Sequence, residues 1–251
     1  MKIIAVIPAR YASSRFYGKV LADINGKPMI QWVYEKASQA KSITKVIVAT
    51  DDNRIYEKVK EFFGDVVMTS PDHNCGTERI AEVIKEKDWE LIVNVQGDEP
   101  LLEPEMIDQA VYPFLEGKDN IHISTLKSKI KEKREVFDPN VVKVVTDRND
   151  FAIYFSRAPI PFDKRMWEDT PNNKKVFIPG LHFKHIGLYV YKRDALLKFS
   201  SLSSTPLEEF EGLEQLRALE NGLRIKVPTT TYDSIGVDTP EDLSIVRKKL
   251  K

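Results

Sequence analysis

Three short runs rich in isoleucine and valine, Lys2–Ile7, Lys45–Thr50 and Leu91–Val95, restrict the fold of this chain more than any other feature. Each is apolar on consecutive residues and too brief for an ordinary helix, the pattern of a strand covered on both faces. Asp65–Thr69 is a weaker run of the same kind. Between the runs the period changes. Pro28–Ala40 opens with Pro, which suits a first helical turn, and places Met29, Ile30, Val33 and Ala37 on one face; Asn53–Phe63 carries Ile55, Val59, Phe62 and Phe63. This alternation predicts an α/β fold with a doubly wound, mostly parallel sheet. Ligands gather beyond the carboxyl ends of such strands, so the loops after Ile7, Thr50 and Val95 are expected to share one crevice.

Beyond about residue 120 the runs His122–Leu126, Val141–Thr146, Phe151–Ser156 and His185–Tyr191 alternate, as half-exposed antiparallel strands do. They predict a smaller lobe, about 121–205, inserted in one domain spanning 1–251. Residues 162–182 lack periodicity and read as a long surface loop. The chain then predicts a helix over Pro206–Asn221, with Leu207, Phe210, Leu213, Leu216 and Leu219 as its core stripe. A strand near Ile225–Val227 and a helix begun by Thr239-Pro240-Glu241 follow.

Charge and cysteine usage exclude several classes. The 38 Lys and Arg balance 38 Asp and Glu, so no net field draws in nucleic acid or a membrane surface. A single Cys75 forms no intrachain disulfide, and with four His no zinc-type spacing occurs, as expected of a reducing, cytoplasmic protein. The first apolar run stops at Pro8, too soon for a signal peptide or a membrane span.

The chemistry-bearing residues sit in the loops that the fold would bring together. The first strand runs into Pro8–Lys19, which holds Arg10, Arg15 and Lys19 among small residues. Three cations and accessible backbone N–H groups suit a triphosphate, although any one of them is as well read as a solvated surface charge. Neither the P-loop nor the dinucleotide glycine pattern occurs here, so kinase and dehydrogenase readings recede. The third strand ends in Gln96-Gly97-Asp98-Glu99-Pro100. An acidic strand end beside a basic loop suggests Mg²⁺, which needs one or two carboxylates and takes its other ligands from phosphate and water. Asp98 is the candidate, and Glu99 reads as a turn residue. Asp238 lies in a similar setting, where capping of the last helix is the favoured reading of the residue taken alone. Asp72–Arg79 is a polar turn that opens a helix; His73 and Cys75 are given no chemical step.

Eight segments together carry a likeness: Ile7–Arg15, Asp23–Ile30, Val48–Asp51, Gly76–Arg79, Asn94–Pro100, Tyr154–Arg157, Leu213–Arg217 and Gly236–Leu243. In them the chain resembles the 3-deoxy-manno-octulosonate cytidylyltransferases, the CMP-Kdo synthetases, along nearly its whole length. The resemblance implies a nucleotidyltransferase that joins CTP and 3-deoxy-D-manno-octulosonate (Kdo) into CMP-Kdo and pyrophosphate for lipopolysaccharide assembly, with Mg²⁺ and commonly as a homodimer. It implies that residues 1–120 bind CTP and that the inserted lobe carries the sugar pocket and dimer contacts. Arg10, Arg15 and Lys19 would hold the triphosphate. Gln96 and the turn with Cys75, Gly76, Thr77 and Arg79 would frame the cytosine. Asp98 and Asp238 would coordinate Mg²⁺. Arg157, His185, Tyr189, Glu214 and Gln215 would receive the sugar acid, and Arg10, Lys19, Asp98 and Asp238 would carry the catalysis. The chain departs from the family's usual Leu-Pro-Gly-Lys-Pro at Phe16–Val20, and has Cys75 where Ser is more usual.

Overall fold

The first strand, β1 (Ile3–Ala9), is buried along almost its whole length, as its unbroken apolar run requires. In the computed structural model, which describes residues 1–12, 16–117, 120–163 and 181–250, it lies near the middle of a ten-stranded sheet. A short hairpin, β2 (Asp23–Ile24) and β3 (Lys27–Pro28), leads into helix α1 (Met29–Ser38). Then come β4 (Lys45–Thr50), α2 (Asn53–Glu61), β5 (Val66–Met68), α3 (Gly76–Ile84), β6 (Leu91–Asn94) and α4 (Pro104–Glu116). β1 pairs in parallel with both β4 and β6, and β4 with β5. The expected α/β core is thus present.

The second half is built from β7 (Ile123–Lys129), α5 (Lys133–Phe137), β8 (Lys143–Thr146), β9 (Ala152–Ser156), β10 (Phe183–Lys192) and α6 (Arg193–Ser200). It closes with α7 (Pro206–Glu211), α8 (Gln215–Glu220), β11 (Ile225–Lys226), β12 (Thr229–Thr230) and α9 (Pro240–Lys249). β10 runs antiparallel to β6 and β7. β7 and β10, expected in the inserted lobe, extend the same sheet, and the β8–β9 hairpin branches from β10. Residues 164–180 of the expected 162–182 loop lie outside the described residues.

Alternate residues of β1 face opposite layers. Ile3, Ala5 and Ile7 pack with Ile30 and Val33 of α1, Ile55 and Val59 of α2, and Met106 and Ile107 of α4. Ile4 and Val6 pack with Ile80 and Ile84 of α3, Leu196 and Phe199 of α6, and Leu216 of α8. A third cluster, Ile24, Met29, Val237, Leu243 and Val246, pins α9 and the loop before it against α1. Val237 is fully buried there, a transfer worth about 1.5–3 kcal/mol that also fixes its neighbour Asp238.

The expected helix over Pro206–Asn221 is two helices. Gly212 takes the left-handed conformation at φ 61° and ends α7, its N–H reaching Glu208 O. Phe210 is 90% exposed, so the stripe read from the sequence is not a core stripe on α7. A repeat of three drifts away from the 3.6-residue helical period, and glycine at that position closes a helix.

Candidate active site

Lys19 is drawn in by its backbone. Gly18 before it has φ +69°, and a Cβ there would lie 3.0 Å from the Tyr11 ring; Gly18 N–H donates to Tyr11 O at 2.9 Å. Lys19 then opens a 3-10 turn, Lys19–Leu21. Its Nζ donates to Asp98 Oδ2 at 2.6 Å, Asp238 Oδ1 at 2.9 Å and Val237 O at 3.0 Å. Burial opposes the charge, but Asp98 and then Asp238 outweigh it and hold the ammonium above the usual lysine range. The two acidic loops are also clipped together directly, by Val237 N–H on Asp98 O at 2.9 Å. Asp98, Asp238 and Lys19, separated by as much as 219 residues, therefore form one site.

Beside this bridge lies a cavity of about 350 Å³, lined by Arg10, Lys19, Gly76, Gln96, Gly97 and Asp98 among others. Gly76 and Gly97 let the start of α3 and the turn after β6 close around the end of β1: a Cβ would fall 3.1 Å from Pro8 Cγ at the first and 3.2 Å from Pro8 O at the second. Arg10 donates to His73 O, tying the basic loop to the turn before α3. Arg15 lies outside the described residues.

Cys75 caps α3 and faces the second half of the chain. Its Sγ donates to Glu214 Oε1 at 3.2 Å, and Thr77 Oγ1 donates to Glu214 Oε2 at 3.2 Å. Burial raises the Glu214 carboxyl against these donors, and burial followed by Glu214 pushes the Cys75 thiol up to about 11. Arg79 is placed differently. Its fully buried guanidinium donates to Asp51 Oδ2 at 2.7 Å and to Thr69 Oγ1, and it does not line the cavity. The geometry gives it a supporting position behind the turn.

On β10, His185 packs edge-on to Phe155 at 5.0 Å between ring centres and lies 5.3 Å from Tyr189. Its Nε2 meets Thr125 Oγ1 at 3.0 Å. Burial lowers its pKa to about 3, so the ring is neutral near pH 7. Burial and then Glu214 raise the Tyr189 phenol well above its usual range. Gln215, at the start of α8, is buried beside Glu214. The Arg157 guanidinium is occupied by the carbonyls of Glu211 at 2.7 Å, Pro139 at 2.9 Å and Gly212 at 3.3 Å.

A second cavity, about 410 Å³, is lined by Asp238, His185, Glu99, Lys184, Gly187 and Ser234 among others. Glu99, expected to be a turn residue, accepts from Ser234 Oγ at 3.0 Å. Its carboxyl is pushed up to about 7, by burial first and Asp98 second. The tandem acids after β6 were its only sequence signal, because Ser234 comes 135 residues later.

Among the described residues no group of three or more His, Cys, Asp and Glu could hold a metal ion. A site that relies on one or two carboxylates is of another kind. Asp98 and Asp238 converge on one cation already, Lys19 Nζ, and their oxygens are the hard donors Mg²⁺ prefers when phosphate and water complete its shell. The donor set fits the ion.

Residues 4–225 match the cytidylyltransferase family. The chain is 56% identical to a 3-deoxy-manno-octulosonate cytidylyltransferase of Geobacter metallireducens, covering 100% of this chain and 98% of that protein. It is 52% identical to one of Trichlorobacter lovleyi, covering 100% and 99%. The solved structure of a CMP:2-keto-3-deoxy-manno-octonic acid synthetase complexed with CTP superposes with a TM-score of 0.89 at 39% identity, over 100% of this chain and 98% of that one. A cytidylyltransferase from Leptospira borgpetersenii, 18% identical with a TM-score of 0.62 over 98% of this chain and 85% of its own, shares the fold.

Proposed function

The chain belongs to the 3-deoxy-manno-octulosonate cytidylyltransferase family, and on that premise we propose how its site moves CMP from CTP to the anomeric hydroxyl of Kdo, releasing pyrophosphate. The observation that carries the reading is the Lys19 ammonium between Asp98 and Asp238, at the rim of a cavity that also presents Arg10 and Gln96.

CTP takes that cavity. Arg10, Lys19 and Arg15 meet the triphosphate, and Gln96 with the turn from Cys75 through Thr77 frames the base. Once the nucleotide is seated, these cations stabilise charge as it develops on the α-phosphate and departing pyrophosphate. Asp98 and Asp238 hold Mg²⁺, which supplies further positive charge for the phosphate oxygens when bound.

Kdo lies against β10 and α8. Neutral His185 offers hydrogen bonds without adding charge, while Tyr189, Glu214 and Gln215 address hydroxyls; Arg157 supports the α7–α8 corner. The anomeric hydroxyl attacks the α-phosphorus in line, and the chain's part is to orient the two reactants. Glu214 bonds Cys75 and Thr77 on the nucleotide side, so it couples the base pocket to the acceptor pocket.

The enzyme works in the cytoplasm as a homodimer, and its product feeds lipopolysaccharide assembly; among the described residues no helix is long and apolar enough to cross a membrane. Offering Kdo, 8-amino-Kdo and neuraminic acid separately with CTP and Mg²⁺ tests the acceptor. Pyrophosphate release with Kdo supports it, and release with another acid alone moves the assignment to that acid.

A further inference from the structure

We propose that Lys19 keeps the Asp98–Asp238 pair closed to a divalent cation until a nucleoside triphosphate draws its ammonium away, so that cation and nucleotide enter together. The inference rests on the reading that this pair holds the metal.

The bridge is specific. Lys19 Nζ makes three contacts of 3.0 Å or less, two to the carboxylates and one to Val237 O, and its side chain is only 11% exposed. The ammonium leaves the pair with a net charge of −1 instead of −2. A divalent ion brought to these oxygens would face a positive charge a few ångströms away, and even at the dielectric of water that repulsion weakens binding by about tenfold or more.

The same residue has somewhere to go. Lys19 lines the cavity that Arg10 and Gln96 share, and lysine is a point charge on a flexible stem. A triphosphate in that cavity competes with the carboxylates for the ammonium and brings the negative charge that lets cation and ammonium coexist. The carboxylates do not drift apart meanwhile. Val237 N–H on Asp98 O at 2.9 Å and the buried Val237 side chain hold the two loops together without Lys19.

The experiment is Mn²⁺ titration of the full chain, followed by water-proton relaxation, which separates protein-bound from free and nucleotide-bound ion. Wild type, Lys19→Met and Lys19→Arg are compared with and without CTP, in the absence of acceptor, after circular dichroism confirms folding. Wild type and Lys19→Arg should bind Mn²⁺ weakly alone and tightly with CTP. Lys19→Met should bind it alone about tenfold or more tighter than wild type. Wild-type affinity that is the same with and without CTP overturns the proposal, whatever the variants do, and so does Lys19→Met with unchanged affinity. Asp98→Asn and Asp238→Asn separate this from the underlying reading. If they abolish binding with CTP while Lys19→Met is silent, only the gate falls; if they leave it intact, the metal assignment falls too.

Discussion

Cys75 and Glu214, 139 residues apart in the chain, meet with the thiol donating to the carboxylate at 3.2 Å. The contact joins the first turn of α3 to the start of α8. Because burial and Glu214 hold the thiol at about 11, and the thiolate is the reactive form, Cys75 should resist iodoacetamide near pH 7.5, with alkylation rising only towards that value. Glu214→Gln should bring the onset to lower pH. Rapid labelling of the wild type at neutral pH would contradict the arrangement.

Arg79 is expected to matter for stability first. With its side chain at 0% and Asp51 at 20% exposure, truncating the pair on one side leaves a buried charge uncompensated, at a cost of about 3–5 kcal/mol. Arg79→Met should lower the urea midpoint accordingly, and Asp51→Leu in the same chain should recover part of the loss. Wild-type stability combined with a raised KM for CTP would instead put the guanidinium in contact with the base.

Two groups set opposing pH dependences of stability. His185 titrates near 3 when folded and near 6.5 when not, so its contribution is complete above pH 6.5 and is lost as pH falls from there towards 3. Glu99 titrates near 7 when folded against 4.5; its contribution is complete below pH 4.5 and is lost as pH rises towards 7. Between 4.5 and 6.5 the two cancel, each having a slope of up to about 1.4 kcal/mol per pH unit. In urea melts, His185→Gln should gain on wild type as pH falls from 6.5, and Glu99→Gln should gain on it as pH rises from 4.5. Curves parallel to wild type would refute both shifts.

What could be read from the sequence was local. Lys45–Thr50 declares a buried strand by its own residues, and Thr239-Pro240 declares the start of α9, where Thr239 and Asp242 do form a capping box. Pairing is not local. Nothing in Phe183–Lys192 says that it lies between β6 and β7, so it is the structure that shows strands of the inserted segment continuing the main sheet. The site divides in the same way. Arg10, Lys19 and Asp98 are marked by their loops and Gln96 by the resemblance alone, and their convergence follows from parallel strands ending together. That Arg79 would turn to Asp51, or that Glu99 would meet Ser234, depends on contacts between distant segments. Glu214 follows the break between α7 and α8 at Gly212, and its contact with Cys75 likewise joins distant segments.

The central claim is that Asp98 and Asp238 form, with the basic loop, the centre at which CMP is transferred. Pyrophosphate release from CTP and Kdo with Mg²⁺ tests it most directly, comparing wild type with Asp98→Asn and Asp238→Asn whose folding has been verified by their melts. The account predicts turnover by the wild type and a loss of at least about a hundredfold in each variant, as for removal of a group that stabilises transition-state charge. Near-normal release by either folded variant would contradict it.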